Sequence, residues 1–254
     1  MSTALLLENK VAVISGAASA RGIGLTTARK FAQQGAKVVI LDLDAQAAAD
    51  AAASIGPQHL GLACNVADKD ACVKAAAAVF AAFGRIDILI NNAGITQAIK
   101  TLEIDATSWD RILDVNLRGV LYLSQAVIPY MQEQRAGAIA CMSSVSAQRG
   151  GGILGGAHYS AAKAGVLGLA KAMAREFGPD GIRVNCVTPG LILTDINAGK
   201  ISEEKMVEIV GGIPLNRPGS VDDVAGAYLF LSSDLSSYIT GAVIDVNGGM
   251  LIHG

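Results

Sequence analysis

Cysteine, histidine and aromatic residues are scarce: four Cys, three His, one Trp and 4% aromatics in 254 residues. Cys64, Cys72, Cys141 and Cys186 are scattered, with no CxxC pair and no histidine at ligand spacing, which argues against a redox motif and against a zinc site. They read as buried thiols, and no metal is expected. No run of Lys or Arg forms a basic stripe, and the formal charge is −2 with a pI near 5.9, so nucleic acid is not an expected partner. Residues 1–10 have no basic leader and only a short apolar run, fitting neither a signal peptide nor a membrane span. The chain is expected to be cytosolic, away from the membrane.

No proline- or glycine-rich linker divides the sequence and no internal repeat shows, so residues 1–254 read as one domain, long enough to bury about 70% of its unfolded surface. The apolar fraction of 52% is high. Much of it is alanine, concentrated in 45–53 and 75–82, which reads as close-packed helices rather than lipid contact. Short β-branched and aliphatic runs recur at 11–15, 37–41, 60–64, 86–90, 138–142, 183–187 and 242–246. Between them lie segments of helical periodicity at 22–34, 45–55, 68–83, 108–134, 159–177 and 221–231. Strand and helix alternating throughout predict an α/β, Rossmann-like doubly wound parallel sheet of about seven strands flanked by helices.

Two places carry chemistry. Tyr159-Ser-Ala-Ala-Lys163 puts a phenol and an ammonium four residues apart on one helix face. A free tyrosine has a pKa of about 10, and a cation about 4 Å away attracts the phenolate by roughly 4 kcal/mol at an effective dielectric near 20, which would make the pair a proton-transfer unit. At the other end, a strand over 11–15 runs into Gly16 and then Gly22-Ile23-Gly24, a strand, a glycine turn and a helix start that together suit a pyrophosphate. Asp42 follows at the end of the second strand, where a carboxylate reaches ribose hydroxyls and repels a 2′-phosphate. NAD(H) is therefore favoured over NADP(H), with Arg21, just before Gly22, the one feature pointing the other way.

With Asn91-Asn92-Ala93-Gly94, Asn116, Ser143-Ser144 and Pro189-Gly190 in this order between the glycine turn and the tyrosine and beyond, the chain resembles the short-chain dehydrogenase/reductase family from about residue 9 to residue 249. The resemblance implies an NAD(P)-dependent oxidoreductase acting on CH–OH groups, with a small alcohol or ketone as substrate. Tyr159 would be the acid/base, Lys163 would lower its pKa and hydrogen-bond the nicotinamide ribose, Ser144 would hold the substrate oxygen and Asn116 would support a water. Asn65-Val66 would lie against adenine, Asn92-Ala93-Gly94 along the ribose, and Ile192 and Thr194, after Pro189-Gly190, would hold the carboxamide. The glycine loop departs from the family pattern: five residues, Ala17 to Arg21, stand between its first two glycines where the family has three, so contacts of Ala17 to Ala20 do not carry over, and Arg21 is read as meeting pyrophosphate or solvent.

Several readings stay open. Ser144 precedes Tyr159 by more than the usual family interval, which Ser146 would restore, but Ser144 sits where the strand 138–142 ends and is favoured. Ser143 and Ser146 are candidate substrate or cofactor contacts. His158 is read as a helix-start or pocket-rim residue, Arg149 as an exposed loop cation, and Trp109 as packing under the fourth helix. Residues 150–156, with five glycines, and the segment 195–218 are expected at the mouth of the site, the latter as a lid or as a solvated helix carrying Glu203, Glu204 and Lys205. The C-terminal run from Tyr238 to Gly249 resembles that of tetrameric family members, so a homotetramer is expected. Within enzymes, a polyol or sugar dehydrogenase and a 3-oxoacyl reductase using NADPH share these motifs. A non-catalytic dinucleotide sensor is the alternative from another class.

Overall fold

The computed structural model describes residues 5–151, 154–195, 199 and 201–252. Residues 1–4, Gly152 and Ile153 of the glycine run, residues 196–198 and 200 of the 195–218 segment, and His253 lie outside the described residues.

Seven strands, β1 Val11–Ser15, β2 Lys37–Asp42, β3 Leu60–Ala63, β4 Ile88–Asn91, β5 Gly137–Met142, β6 Ile182–Pro189 and β7 Val243–Val246, form one sheet in the order β3-β2-β1-β4-β5-β6-β7, every pair parallel. Helices α1 Ile23–Gln33 and α2 Ala45–Ala53 follow β1 and β2. Next come α3 Lys69–Phe83, α4 Ala106–Leu113, α5 Gly119–Gln134, α6 Ser146–Arg149, α7 Ala157–Phe177, α8 Glu203–Gly211 and α9 Val221–Ser232.

Period-two alternation divides the strands between two cores. Val13, Val39, Leu89, Ile139 and Val184 face α3, α5 and α7, where Val79, Leu123 and Val166 meet them. Ile14, Ile40, Ile90 and Ala140 face α1, α2 and α9, where Phe31, Ala48 and Tyr228 close the other layer. The alanine-rich α2 lies so close on β3 that a Cβ on Gly61 would stand 2.2 Å from the Ala48 carbonyl oxygen. All four cysteines are free and buried. Strand order reverses between β1 and β4, and the crevice beyond the carboxyl ends of these strands is where such sheets take ligands.

One expected helix is two. The segment expected as continuous over 108–134 breaks at a π-helical turn, Asp114–Arg118, between α4 and α5. The cause is Asn116: its side-chain Nδ2 donates to the Ile112 carbonyl at 2.9 Å, the acceptor an α-helix would give to the backbone N–H of residue 116. Displaced by its own side chain, the ladder widens, and the Gly119 N–H reaches the Asp114 carbonyl five residues back. Trp109, expected under this helix, is instead 42% exposed.

Candidate active site

The glycine turn is built for close approach. Gly16 has a φ of 62°, and a Cβ there would lie 2.7 Å from Ala93 Cα; one on Gly24 would lie 2.7 Å from Ala17 Cα and 2.8 Å from Asn92 Nδ2. Asn92 bolts the end of β4 to this turn, donating from Nδ2 to the carbonyls of Ser15 (3.0 Å) and Gly16 (2.9 Å), while the backbone N–H groups of Asn92 and Ala93 both donate to Ser15 Oγ. Asn91 points the other way, buried and donating to Ser124 Oγ. Gly22 starts α1 in extended conformation with no side-chain cap, which leaves the first N–H groups of the helix directed at the cleft.

Asp42 ends β2 with Oδ2 accepting from the Ala18 N–H at 2.9 Å and Oδ1 from the Leu43 N–H at 2.8 Å. Its carboxylate therefore fixes the longer glycine loop and lines the cleft at once. Arg21 meets Asp195 across the cleft mouth, Nε to Oδ1 at 2.6 Å, while most of its side chain stays in solvent.

A cavity of about 820 Å³ runs from this turn past Asn65 and Val66, along Asn92, Ala93 and Gly94, to Ser144, Tyr159 and Lys163, and is walled by Pro189, Gly190, Ile192 and Thr194. Gly16, Gly22, Ile23, Asp42 and Asn116 line it too. Of the residues expected at the site, Arg21 and Gly24 are outside the lining, although Arg21's partner Asp195 belongs to it and Gly24 packs against Ala17 and Asn92. The close-approach glycines, the uncapped helix start and the carboxylate after β2 together fit a dinucleotide.

Ser144 follows β5 by two residues, its Oγ accepting from the Ser146 N–H at 3.1 Å. Ser144, not Ser146, is the hydroxyl that acts on the Tyr159 phenol, favouring its charged form. Ser143, expected as a substrate or cofactor contact, is an anchor: its Oγ donates to the Lys163 carbonyl at 2.8 Å and ties α7 to the end of β5. Lys163 is 1% exposed, with Nζ donating to the Met142 carbonyl at 2.9 Å and standing 5.8 Å from the Tyr159 ring centroid.

This geometry corrects one expectation. Burial raises the Tyr159 phenol above its usual range and the Ser144 hydrogen bond offsets part of the rise. The Lys163 ammonium, one of whose three N–H groups goes to Met142, is itself pushed down to about 8 by burial. In this arrangement the tyrosine is a phenol at neutral pH, ready to donate.

Asn116 is fully buried and holds the loop after β4: Nδ2 donates to the Ile95 carbonyl at 2.9 Å and Oδ1 accepts from the Ile95 N–H at 3.3 Å. A Cβ on Gly94 would stand 2.8 Å from Asn116 Oδ1 and 3.4 Å from Lys163 Nζ, so Gly94, Asn116 and Lys163 pack as one unit. Asn116→Ala leaves both Ile95 backbone groups unpaired and should cost about 1–3 kcal/mol. The check is thermal unfolding, expected to move down by several degrees; an unchanged midpoint would show that Asn116 does not hold this loop.

His158 is at a helix start, as one of its two readings had it, the second residue of α7, but is fully buried rather than at the rim, with Nε2 3.1 Å from Gln97 Oε1. That contact, Gly156 N–H to the Gln97 carbonyl at 2.9 Å, and Thr96 Oγ1 to the Leu154 carbonyl lock the loop after β4 to the start of α7. Arg149 is exposed and lines the cavity, as does Arg111. Sequence reasoning did not single out Ile95, Leu154, Leu191, Ile209 and Met250, which give the cavity an apolar wall. Within the 195–218 segment α8 is the solvated helix expected, with no buried residue, and its Lys205 and Glu208, paired at 2.7 Å, line the cavity with Ile209. Among the described residues no group of three or more His, Cys, Asp or Glu could hold a metal, and no helix is long and apolar enough to cross a membrane.

A doubly wound parallel sheet with a glycine turn at its switch point and a Ser, Tyr and Lys set on the same cleft defines a dinucleotide-dependent oxidoreductase. The family model described as Enoyl-(Acyl carrier protein) reductase matches residues 16–251. The chain belongs to the short-chain dehydrogenase/reductase family. It is 64% identical to the uncharacterized short-chain type dehydrogenase/reductase y4mP of Sinorhizobium fredii, over 98% of this chain and 100% of that protein. It is 41% identical to 3-oxoacyl-[acyl-carrier-protein] reductase FabG of Thermotoga maritima, over 97% and 99%. The crystal structure of gox2181 matches at a TM-score of 0.92 with 33% identity, over 97% of each chain. The protein is an NAD(P)-dependent enzyme of this family.

Proposed function

We propose that the protein is an NAD(H)-dependent oxidoreductase that interconverts a secondary alcohol and a ketone. The observation that carries this reading is Tyr159 with Ser144 and a buried Lys163, whose Nζ stands 5.8 Å from the tyrosine ring centroid, in the same cleft as Asp42. Gly16, Gly22, Ile23 and Gly24 would hold the pyrophosphate, Asp42 the ribose, Asn65 and Val66 the adenine, and Pro189, Gly190, Ile192 and Thr194 the nicotinamide end. The nicotinamide supplies or accepts the hydride when bound.

In the reduction direction the Tyr159 phenol gives its proton to the carbonyl oxygen as the alcohol forms, while the Ser144 hydroxyl donates to the same oxygen and steadies its developing charge. Lys163, beside it, returns a proton toward Tyr159, and Asn116 holds the loop that shapes this path. The part of 195–218 that includes α8 closes over the substrate.

The pH dependence follows from these groups. Reduction needs a neutral Tyr159 and a charged Lys163, so its rate should be level near neutrality and fall as pH rises through about 8, where Lys163 loses its proton. Oxidation needs the phenolate and, because burial raises Tyr159, should rise only at higher pH than this. A reduction rate that stays level to about pH 10 would remove the lysine charge from the reaction.

A second reading, 3-oxoacyl thioester reduction with NADPH, is favoured by the likeness to FabG and by the apolar cavity wall. The test is a panel of secondary alcohols, polyols, sugars and a 3-oxoacyl thioester, followed at the nicotinamide absorbance with each cofactor. Turnover of a small alcohol or ketone with NAD(H) supports the first reading and turnover of the thioester alone with NADPH supports the second. Binding without any turnover would favour a sensor. A cytosolic homotetramer completes the proposal, with β7 at the sheet edge half-buried and the nearby Tyr238 and Leu235 exposed, as an interface between copies would have them.

A further inference from the structure

Asp195 directly follows the 189–194 segment and reaches across the cleft mouth to the glycine loop. Its carboxylate accepts three hydrogen bonds there: Oδ2 from Ser19 Oγ at 2.8 Å and from the Arg21 backbone N–H at 3.3 Å, and Oδ1 from Arg21 Nε at 2.6 Å. The Arg21 side chain is 74% exposed, so burial does not force this pairing. Backbone and side chain of one residue converge on one carboxylate, which fixes the direction of the guanidinium. Both partners hold the Asp195 carboxyl below its usual range, Ser19 first and Arg21 next.

Arg21 is the single cation between Gly16 and Gly24. It stands three residues from Ala18, whose N–H is bound by Asp42. A loop cation this close to the carboxylate after β2 is the group that generally accommodates a ribose 2′-phosphate. In this chain it is directed at Asp195, across the cleft mouth from β2.

We propose that Asp195 is a specificity-determining residue for the dinucleotide, which holds Arg21 in an ion pair and so withholds from a 2′-phosphate the one cation of the glycine loop. Discrimination against NADP then comes from two carboxylates, Asp42 by repulsion and Asp195 by sequestration. This rests on the dinucleotide reading of the cleft and on the NAD preference proposed above. Asp195 acts through Arg21 and is a positioning residue, so the readout is a ratio between cofactors that a general loosening of the mouth would not move.

The test measures kcat/KM with NAD and with NADP for the wild-type protein, Asp195→Asn, Arg21→Ala and the double variant, repeated in an Asp42→Ala background where NADP turnover is larger. Asp195→Asn should raise the NADP to NAD ratio about five- to tenfold. Arg21→Ala should change use of both cofactors by the same factor and leave the ratio in place. The double variant should lose the gain, because the freed guanidinium is no longer there. A ratio unmoved by Asp195→Asn, or a gain that persists in the double variant, would overturn the proposal. A wild-type preference for NADP that Arg21→Ala abolishes would overturn it as well, since Arg21 would then read the phosphate despite Asp195. Absence of binding and turnover with either cofactor would instead bring down the dinucleotide reading, and this inference with it.

Discussion

Tyr159→Phe should lower turnover by roughly a thousandfold while changing NADH affinity by no more than about threefold. The substitution removes one oxygen and leaves the ring, which lies against Gly155, where even a Cβ would stand 2.4 Å from the Tyr159 Cδ1 atom. Packing is therefore retained and the loss is chemical. What goes is the proton donor of the reaction; Ser144 keeps its own hold through the Ser146 N–H. Ser144→Ala should cost less, because the phenol stays in place. Single-turnover rates with NADH separate the step from binding, and a Tyr159→Phe protein that keeps wild-type turnover would take the tyrosine out of its role.

Asp42→Ala should shift the NADP to NAD ratio by roughly a hundredfold toward NADP. A 2′-phosphate carries about two negative charges at neutral pH, and at about 5 Å from a carboxylate the repulsion is about 2 kcal/mol even at the dielectric of water and larger in a cleft. Lost acceptance from the ribose hydroxyls weakens NAD by about a further 1 kcal/mol. Asp42 also braces Ala18 and Leu43, so part of the effect on both cofactors is loop loosening that cancels in the ratio. Kinetics with both cofactors at one ionic strength are the check, and an unchanged ratio would show that Asp42 does not read the ribose.

The strands were legible because each is a short apolar run punctuated by glycine or a polar cluster, buried in the five central strands and half-buried in β3 and β7 at the edges, and the parallel sheet followed from the alternation with helices. The expected start at residue 86 and the observed start of β4 at Ile88 differ because Ile86, though buried, pairs with the Gln134 side chain rather than with a neighbouring strand. The site residues were legible as local patterns, the glycine turn and the Tyr-Lys pair, and all but Arg21 and Gly24 line one cavity.

What the sequence hid is contact at long separation. Arg21 with Asp195 and His158 with Gln97 are pairings 174 and 61 residues apart, which no local period encodes. The break at Asn116 had a local sign, an asparagine inside an apolar helix, but its consequence depended on which carbonyl the amide would take. The tyrosine pKa argument failed for a related reason: spacing puts Lys163 on the right face but does not encode the burial that raises the Tyr159 phenol and lowers the Lys163 ammonium.

The most direct measurement is a fluorescence titration of the purified protein with NADH and with NADPH. Saturable binding of both at one site per chain, tighter for NADH, is the expected result, because Asp42 lines the cleft and Arg21 is held by Asp195. Tighter binding of NADPH would contradict the role given to Asp42, and binding of neither would contradict the assignment of the glycine turn on which the rest depends.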